Sequence, residues 1–440
     1  MQNGRVALSS IDYKDIPNEV NLEELLSPIF QNNGENTNLS QALFSSLFPN
    51  IQDKNIQGLS KTFYEKIINK NIKSKSRCIH CGNKGSVELS SYIYPFVTNY
   101  EKFPNIYSNG KIKSLFCNEC LLISFAAYNK ILFKSNRKNN FSQYSMILFF
   151  SFDDDVLKRF YNGFIQLLLK PTFQTNIDFP GVNKKGDGDN NQYSYGRLFY
   201  PEDILAIIID YVSNKIKELN DLGKHIGALL FSFNRARSGT SYFNIYDSFD
   251  IVDDIYPFVK GLNQFKKVTK NNNSFIILFK NLLTSNSKES DFILRRKIIR
   301  RLLLFRRFDW KAIENIVMLK ASENKYIPYL KPFISVILEI LALNKEIFND
   351  ASNVGYNLGL EIKEKETNQN RLKKFIYELR RARRPSDFLS IVNLMQARAS
   401  VSIYSKSLFD NDFEVVKVGF LIGFSNAIFE QKDYKQNKKK

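Results

Sequence analysis

The chain of 440 residues carries 63 Lys and Arg against 44 Asp and Glu, a formal net charge of +19, and is 43% hydrophobic. Such length and apolar content supply cores for two or three domains and exclude a disordered chain. The positive excess points to a polyanionic partner, nucleic acid ahead of a membrane, and it is discounted in part because the abundance of Asn, Lys and Ile is what a coding bias toward A and T would produce.

No run reaches the roughly 18 uncharged apolar residues of a membrane span, because Glu414, Lys417, Ser425 and Asn426 interrupt the closest one. The opening Met1-Gln2-Asn3-Gly4-Arg5 lacks a signal-peptide layout, so a cytoplasmic protein without a membrane partner is expected.

Residues 1–75 read as short helices at 22–30, 39–47 and 59–68, where apolar residues recur at three-to-four spacing between Asn- and Gly-bearing loops. The next stretch, 76–125, holds all four cysteines as two C-x-x-C pairs, Cys78/Cys81 and Cys117/Cys120. Each short knuckle turns two thiolates toward one point, and two knuckles close a tetrahedral shell around Zn²⁺. Four thiolates leave a metal no open position, so the site reads as structural zinc, with a disulfide or redox dithiols as the alternative. His80 is taken as a knuckle side chain. The spacer is rich in aromatics (Tyr92, Tyr94, Phe96, Tyr100, Phe103, Tyr107) and suits a small core or, with Lys111 and Lys113, base stacking.

Residues 126–288 read as a mixed α/β region. A helix is expected at 121–133 and a buried strand at 144–152. Asp153-Asp154-Asp155 follows as an acidic helix start or, alternatively, a Mg²⁺ site. The loop 181–196, with Gly186-Asp187-Gly188-Asp189, reads as solvated. A helix at 201–216 precedes strands at 226–233 and 242–249, joined by a polar turn whose Arg235 and Arg237 suit a phosphate backbone or plain exposure.

From 289 onward the pattern is helical. Arg295, Arg296, Lys297, Arg300, Arg301, Arg306, Arg307 and Lys311 crowd together with only Asp309 acidic among them, so local pairing cannot neutralise the run and a nucleic-acid face is expected. Leu372, Phe375, Ile376 and Leu379 form one helical stripe, and Phe388, Ile391, Val392 and Met395 another. Pro385 divides them, with Arg380, Arg381, Arg383 and Arg384 at the corner. The apolar segment 413–429 carries Gly419 and Gly423 four apart and reads as a central bundle helix approached closely by a neighbour; a basic tail ends the chain.

These elements predict an α+β fold, a mixed N-terminal domain with an inserted zinc ribbon followed by a C-terminal helical bundle at 289–440. The two histidines form no HD or H-x-x-x-H motif, and no P-loop or dinucleotide fingerprint occurs. A non-enzymatic binder is therefore expected. The alternatives are a stand-alone zinc-ribbon RNA-binding protein and a nuclease built on Asp153, Asp154 and Asp155.

The four-cysteine ribbon, the strand-turn-strand region and the C-terminal block are the basis of a family likeness. That block runs through Tyr356-Asn357-Leu358-Gly359, Arg371-Leu372-Lys373-Lys374-Phe375, Asp387-Phe388-Leu389 and Val418-Gly419-Phe420-Leu421-Ile422-Gly423-Phe424. In this order they resemble the large subunit of type I-B CRISPR effector complexes (Cascade), the Cas family numbered eight. The resemblance implies a non-catalytic subunit that binds crRNA and target DNA and touches the duplex at the protospacer-adjacent motif. It also implies assembly with backbone, crRNA 5′-end-binding and small subunits, and recruitment of a separate helicase-nuclease. It implies further that a small helical subunit starts internally, for which Met318 is the candidate; an ordinary core methionine on the stripe Ile313, Ile316, Val317 is the other reading.

Overall fold

The structure, a computed structural model, describes residues 77–85, 87–88, 115–117, 120, 123, 132–138, 141–165, 200–215, 219, 225–236, 249–283, 289–303, 309–403, 405–409 and 412–430. The expected helices of 1–75, most of the aromatic spacer and of the helix at 121–133, the loop 181–196, the segment 237–248, and the basic tail lie outside these residues. The chain forms two compact units. One comprises Met1–Pro180, Leu198–Pro201 and Lys217–Ile255; the other comprises Gly181–Arg197, Glu202–Ile216 and Tyr256–Lys440.

In the first unit, β1 (Val87–Glu88) and β2 (Leu115–Phe116) form a short antiparallel ladder beside the cysteine knuckles. A four-stranded antiparallel sheet follows, ordered β3 (Leu132–Lys138), β4 (Phe141–Ser151), β5 (Ile226–Ala236) and β6 (Phe249–Val252). Ser145, Met146, Ile147 and Phe149 of β4 are all buried, consistent with a short apolar run in a central strand. Several boundaries differ from expectation: β4 starts at Phe141, ahead of 144, and β6 runs on to Val252, past 249. Leu132 opens a strand instead of closing a helix, and β5 runs to Ala236, so Arg235 stands in the ladder opposite Ser142, outside the turn. Helix α1 (Asp154–Phe160) starts where β4 ends, capped by Asp153, and continues as a π turn over Tyr161–Ile165. Phe149 packs edge-on to Phe160 at 5.0 Å and closes this corner.

The second unit is helical: α2 (Pro201–Ser213, its first residue assigned to the other unit), α3 (Tyr256–Thr269), α4 (Ser274–Asn281), α5 (Glu289–Leu303), α6 (Trp310–Ser322), α7 (Leu330–Ile340), α8 (Lys345–Lys365), α9 (Gln369–Arg381), α10 (Pro385–Ala399) and α11 (Phe413–Phe429). The basic run of 295–311 is two helices, because Asp309 caps a new start, its carboxylate accepting from Ala312 N at 3.0 Å. Pro385 opens α10 at a first-turn position, where its missing N–H costs nothing. Leu372, Phe375, Ile376 and Leu379 of α9 share one core with Phe388, Val392 and Met395 of α10 and with Phe420 and Phe424 of α11. No described helix is long and apolar enough to cross a membrane.

Two helices approach each other most closely. A Cβ on Gly423 of α11 would collide with the Ser352 carbonyl of α8, and one on Gly355 of α8 with the Phe420 carbonyl of α11. Gly355 and Gly359 answer Gly419 and Gly423 at the same four-residue spacing, so backbone lies on backbone along the crossing. Gly423→Ala is expected to destabilise the protein by about 1–3 kcal/mol through overpacking. Gly163→Ala, where a Cβ meets nothing within 4 Å, should leave the denaturant midpoint nearly unchanged. Paired urea titrations followed by circular dichroism check this.

Candidate metal centre and basic surface

The two knuckles are built by local hydrogen bonds. Gly82 N donates to the Cys78 carbonyl at 3.0 Å, Cys78 N to Asn83 O at 2.6 Å, and Ile79 N to Leu115 O at 3.0 Å, which ties the first knuckle to β2. Gly82 has φ +77°, a conformation that glycine adopts without a Cβ penalty, and it lets the chain turn back directly after Cys81. In the second knuckle, Cys120 N donates to Cys117 Sγ at 3.4 Å.

The four Sγ atoms lie within 4.8 Å of one another, with Cys78, Cys117 and Cys120 buried and Cys81 exposed. All four thiols are free. Cys81 Sγ and Cys117 Sγ are 3.6 Å apart. A disulfide needs about 2.05 Å, whereas Zn–S bonds of about 2.3 Å in a tetrahedron place sulfurs roughly 3.8 Å apart. The geometry therefore fits a metal shell and not a disulfide.

Burial pushes the Cys78 thiol up, but hydrogen bonds from the Cys81, Cys117 and His80 backbone outweigh it and bring the group down to about 6. Burial drives Cys117 up, against hydrogen bonds from Cys120. Cys120 is raised further, by burial and then by its sulfur neighbours. Burial that disfavours negative charge on two of the sulfurs is offset when a cation sits among them, so the cluster is suited to a metal ion.

Among the described residues these cysteines are the only set of three or more candidate ligands whose donor atoms converge. The Asp153 carboxylate accepts from Asp155 N at 2.8 Å and Val156 N at 3.3 Å, so it caps α1. Asp154 and Asp155 occupy the first turn, where the helix dipole favours acids.

The expected nucleic-acid residues divide sharply. Arg295 is 0% exposed, its guanidinium held by Asp203 through Nε at 3.1 Å and Nη2 at 2.8 Å, with the Phe279 ring 4.1 Å away. Arg296 Nε bonds Glu202 Oε1 at 3.0 Å and is also buried. Neither can meet a phosphate, which corrects the reading of 295–311 as one exposed basic face. Arg300 is half-buried, and Arg301 is exposed beside Lys297 on the outer side of α5.

Arg306 and Arg307 lie outside the described residues, as does Arg237, and Arg235 is placed only by its backbone. Arg380 turns inward: it donates to Asn315 Oδ1, and its carbonyl accepts from Lys417 Nζ at 2.8 Å. Arg381, Arg383 and Arg384 remain exposed.

Met318 packs half-buried against the bundle core. It lies inside α6, after Glu314 and Asn315, the partners of Lys417 and Arg380, so a chain beginning there has neither of these pairings.

A cleft of about 560 Å³ between the ends of α8, α9 and α10 is lined by Lys365, Arg371, Lys374 and Arg398. None of these four cations is among the expected nucleic-acid residues, although Arg371 and Lys374 stand one turn apart on α9. The chain matches no family model, no curated protein and no solved structure.

Arg295→Ala is expected to destabilise the fold by about 3–5 kcal/mol, because it strands a buried Asp203 carboxylate. Arg301→Ala should leave the thermal midpoint in place, and differential scanning fluorimetry of the two variants separates these outcomes.

Proposed function

We propose that the chain is a non-catalytic, nucleic-acid-binding large subunit of a crRNA-guided DNA surveillance complex. In this reading a zinc-stabilised knuckle pair and a basic helical unit hold strands by their phosphates, base pairing reads sequence, and a separate helicase-nuclease is recruited to cut. The partners are crRNA, target DNA and the other subunits of the complex.

One observation supports the nucleic-acid part most directly. Every buried lysine or arginine among the described residues has a carboxylate: Lys266 with Asp210, Arg295 with Asp203, Arg296 with Glu202, Lys320 with Glu323, and Lys417 with Glu314. The buried cations thus cancel, and the excess of +19 is carried elsewhere. Lys297, Arg301, Lys311, Arg381, Arg383 and Arg384 are exposed on the helical unit, and none of them is in an ion pair among the described residues. A surface of that kind attracts a polyanion and releases its counterions on contact.

The zinc part rests on the four-thiol geometry. Purified protein should carry about one Zn²⁺ per chain, since four thiolates in a tetrahedral cluster suit that ion. Cys117→Ser should lose the metal and lower the unfolding midpoint, because structural zinc binding is folding free energy. Elemental analysis of both proteins checks this, and metal-free wild type of full stability would contradict it.

Fluorescence anisotropy with labelled RNA and DNA over a range of salt tests the nucleic-acid reading. The triple variant Arg381→Ala, Arg383→Ala, Arg384→Ala should bind every sequence more weakly. On duplex DNA its log–log salt slope should shrink by about 0.9 for each phosphate that the variant no longer neutralises. An unchanged slope would remove this corner from the binding surface.

A further inference from the structure

We propose that the outer face of α9 is a track for single-stranded nucleic acid, with the cleft at its start seating backbone phosphate and Tyr377 stacking an unpaired base. This rests on the nucleic-acid reading above and adds the form of the ligand and residues that it did not include.

Helix α9 has two distinct sides. Leu372, Phe375, Ile376 and Leu379 face the core, whereas Arg371, Lys374, Tyr377 and Arg381 follow one another three or four residues apart on the solvent side. At 1.5 Å per residue, Arg371 to Arg381 spans about 15 Å, matching four to five phosphates of a stacked strand at roughly 3.4 Å each. Arg383 and Arg384 extend the row past the end of the helix.

The cations at the cleft are available. The Lys374 side chain is 74% exposed and its Nζ is 3.8 Å from Glu378, beyond hydrogen-bond range. Arg371 meets Glu366 at 3.1 Å, but the Arg371 side chain is 66% exposed, and an ion pair so accessible to water contributes little and exchanges readily for phosphate. Arg398 lies over the Phe375 ring at 5.1 Å, which fixes its guanidinium at the cleft wall. Lys365 donates to the Ala399 carbonyl and joins the other three. Four cations face two carboxylates, Glu366 and Glu378, so the cleft favours an anion.

Tyr377 distinguishes an unpaired strand from a duplex. The residue is 42% exposed in the middle of the row, with the Arg381 guanidinium 4.8 Å from the ring centroid. An aromatic ring and an arginine plane together form a platform that any base can stack on, but only a base free of its partner reaches it. A duplex would offer this face phosphates alone.

The full chain is titrated with a labelled 20-nucleotide oligothymidylate and, separately, with a duplex of equal length. Tyr377→Ala should weaken the single strand roughly tenfold and the duplex less than twofold, while Tyr377→Phe keeps wild-type affinity. Alanine is the best helix former, and this position makes no core contact, so the variant is expected to fold. Tyr377→Trp adds an exposed indole to a chain whose sole Trp310 is buried. Oligothymidylate should quench the emission of that variant beyond the wild-type change, and duplex should not.

If wild type binds nucleic acid but Tyr377→Ala alters neither ligand, or alters both equally, the track is wrong and the nucleic-acid reading stands. If wild type binds neither ligand, both fall. Polyglutamate competing as well as oligothymidylate would assign the face to an acidic protein and overturn the proposal.

Discussion

Three carboxylates on α2 organise the helical unit. Glu202 and Asp203 meet Arg296 and Arg295 of α5, and further along the same helix Asp210 meets Lys266 of α3 at 2.6 Å. Lys266 is also bound by Ser213 Oγ at 2.8 Å and Asn214 Oδ1 at 2.9 Å. Taking these ions out of water is costly, and their mutual attraction offsets that cost only when geometry is close and the remaining protons find acceptors. Both helices must therefore dock on α2 in one register, because a shift by a turn would leave a buried charge alone. Apolar packing alone would tolerate such a shift far better.

This arrangement has a consequence for the surface. A large basic excess destabilises a compact chain through self-repulsion, and burying some of the charges unpaired would cost more still. Among the described residues each buried lysine or arginine has a carboxylate partner, and exposed cations lie on the outer sides of α5 and α9 and at the corner before α10. The positive field is thus an outward property of the helical unit, built on an interior in which the carboxylates of α2, α6 and the turn after α6 each hold a buried cation. In the other unit, the two knuckles beside the two-residue ladder bring four cysteine sulfurs within 4.8 Å of one another.

Features determined by neighbours along the chain were legible in the sequence. The C-x-x-C pairs converge, α11 is apolar all round with Gly419 and Gly423 against a neighbouring backbone, and the stripe of α9 faces the core. Features determined by distant partners were not. Arg295 and Arg296 looked unneutralised because only nearby acids were weighed, and their carboxylates lie 92 and 94 residues earlier. Asp309 was counted as a lone acid in a basic helix, although an aspartate before an apolar-periodic stretch is also a capping signal. Arg380 differs from its neighbours at the corner for the same reason, since Asn315 and Lys417 meet it from two other helices. Charge density along a sequence reports exposure only where tertiary pairing is absent, and four neighbouring arginines can divide between core and surface.

The role proposed for this chain is that of the nucleic-acid-holding subunit of a guided complex. Its most direct test is to isolate the tagged chain from the cells that make it and record its native mass and bound nucleic acid. That role predicts an assembly of several different proteins with an RNA of uniform length, in which this chain is present once and carries zinc. A chain recovered alone and free of nucleic acid would contradict it.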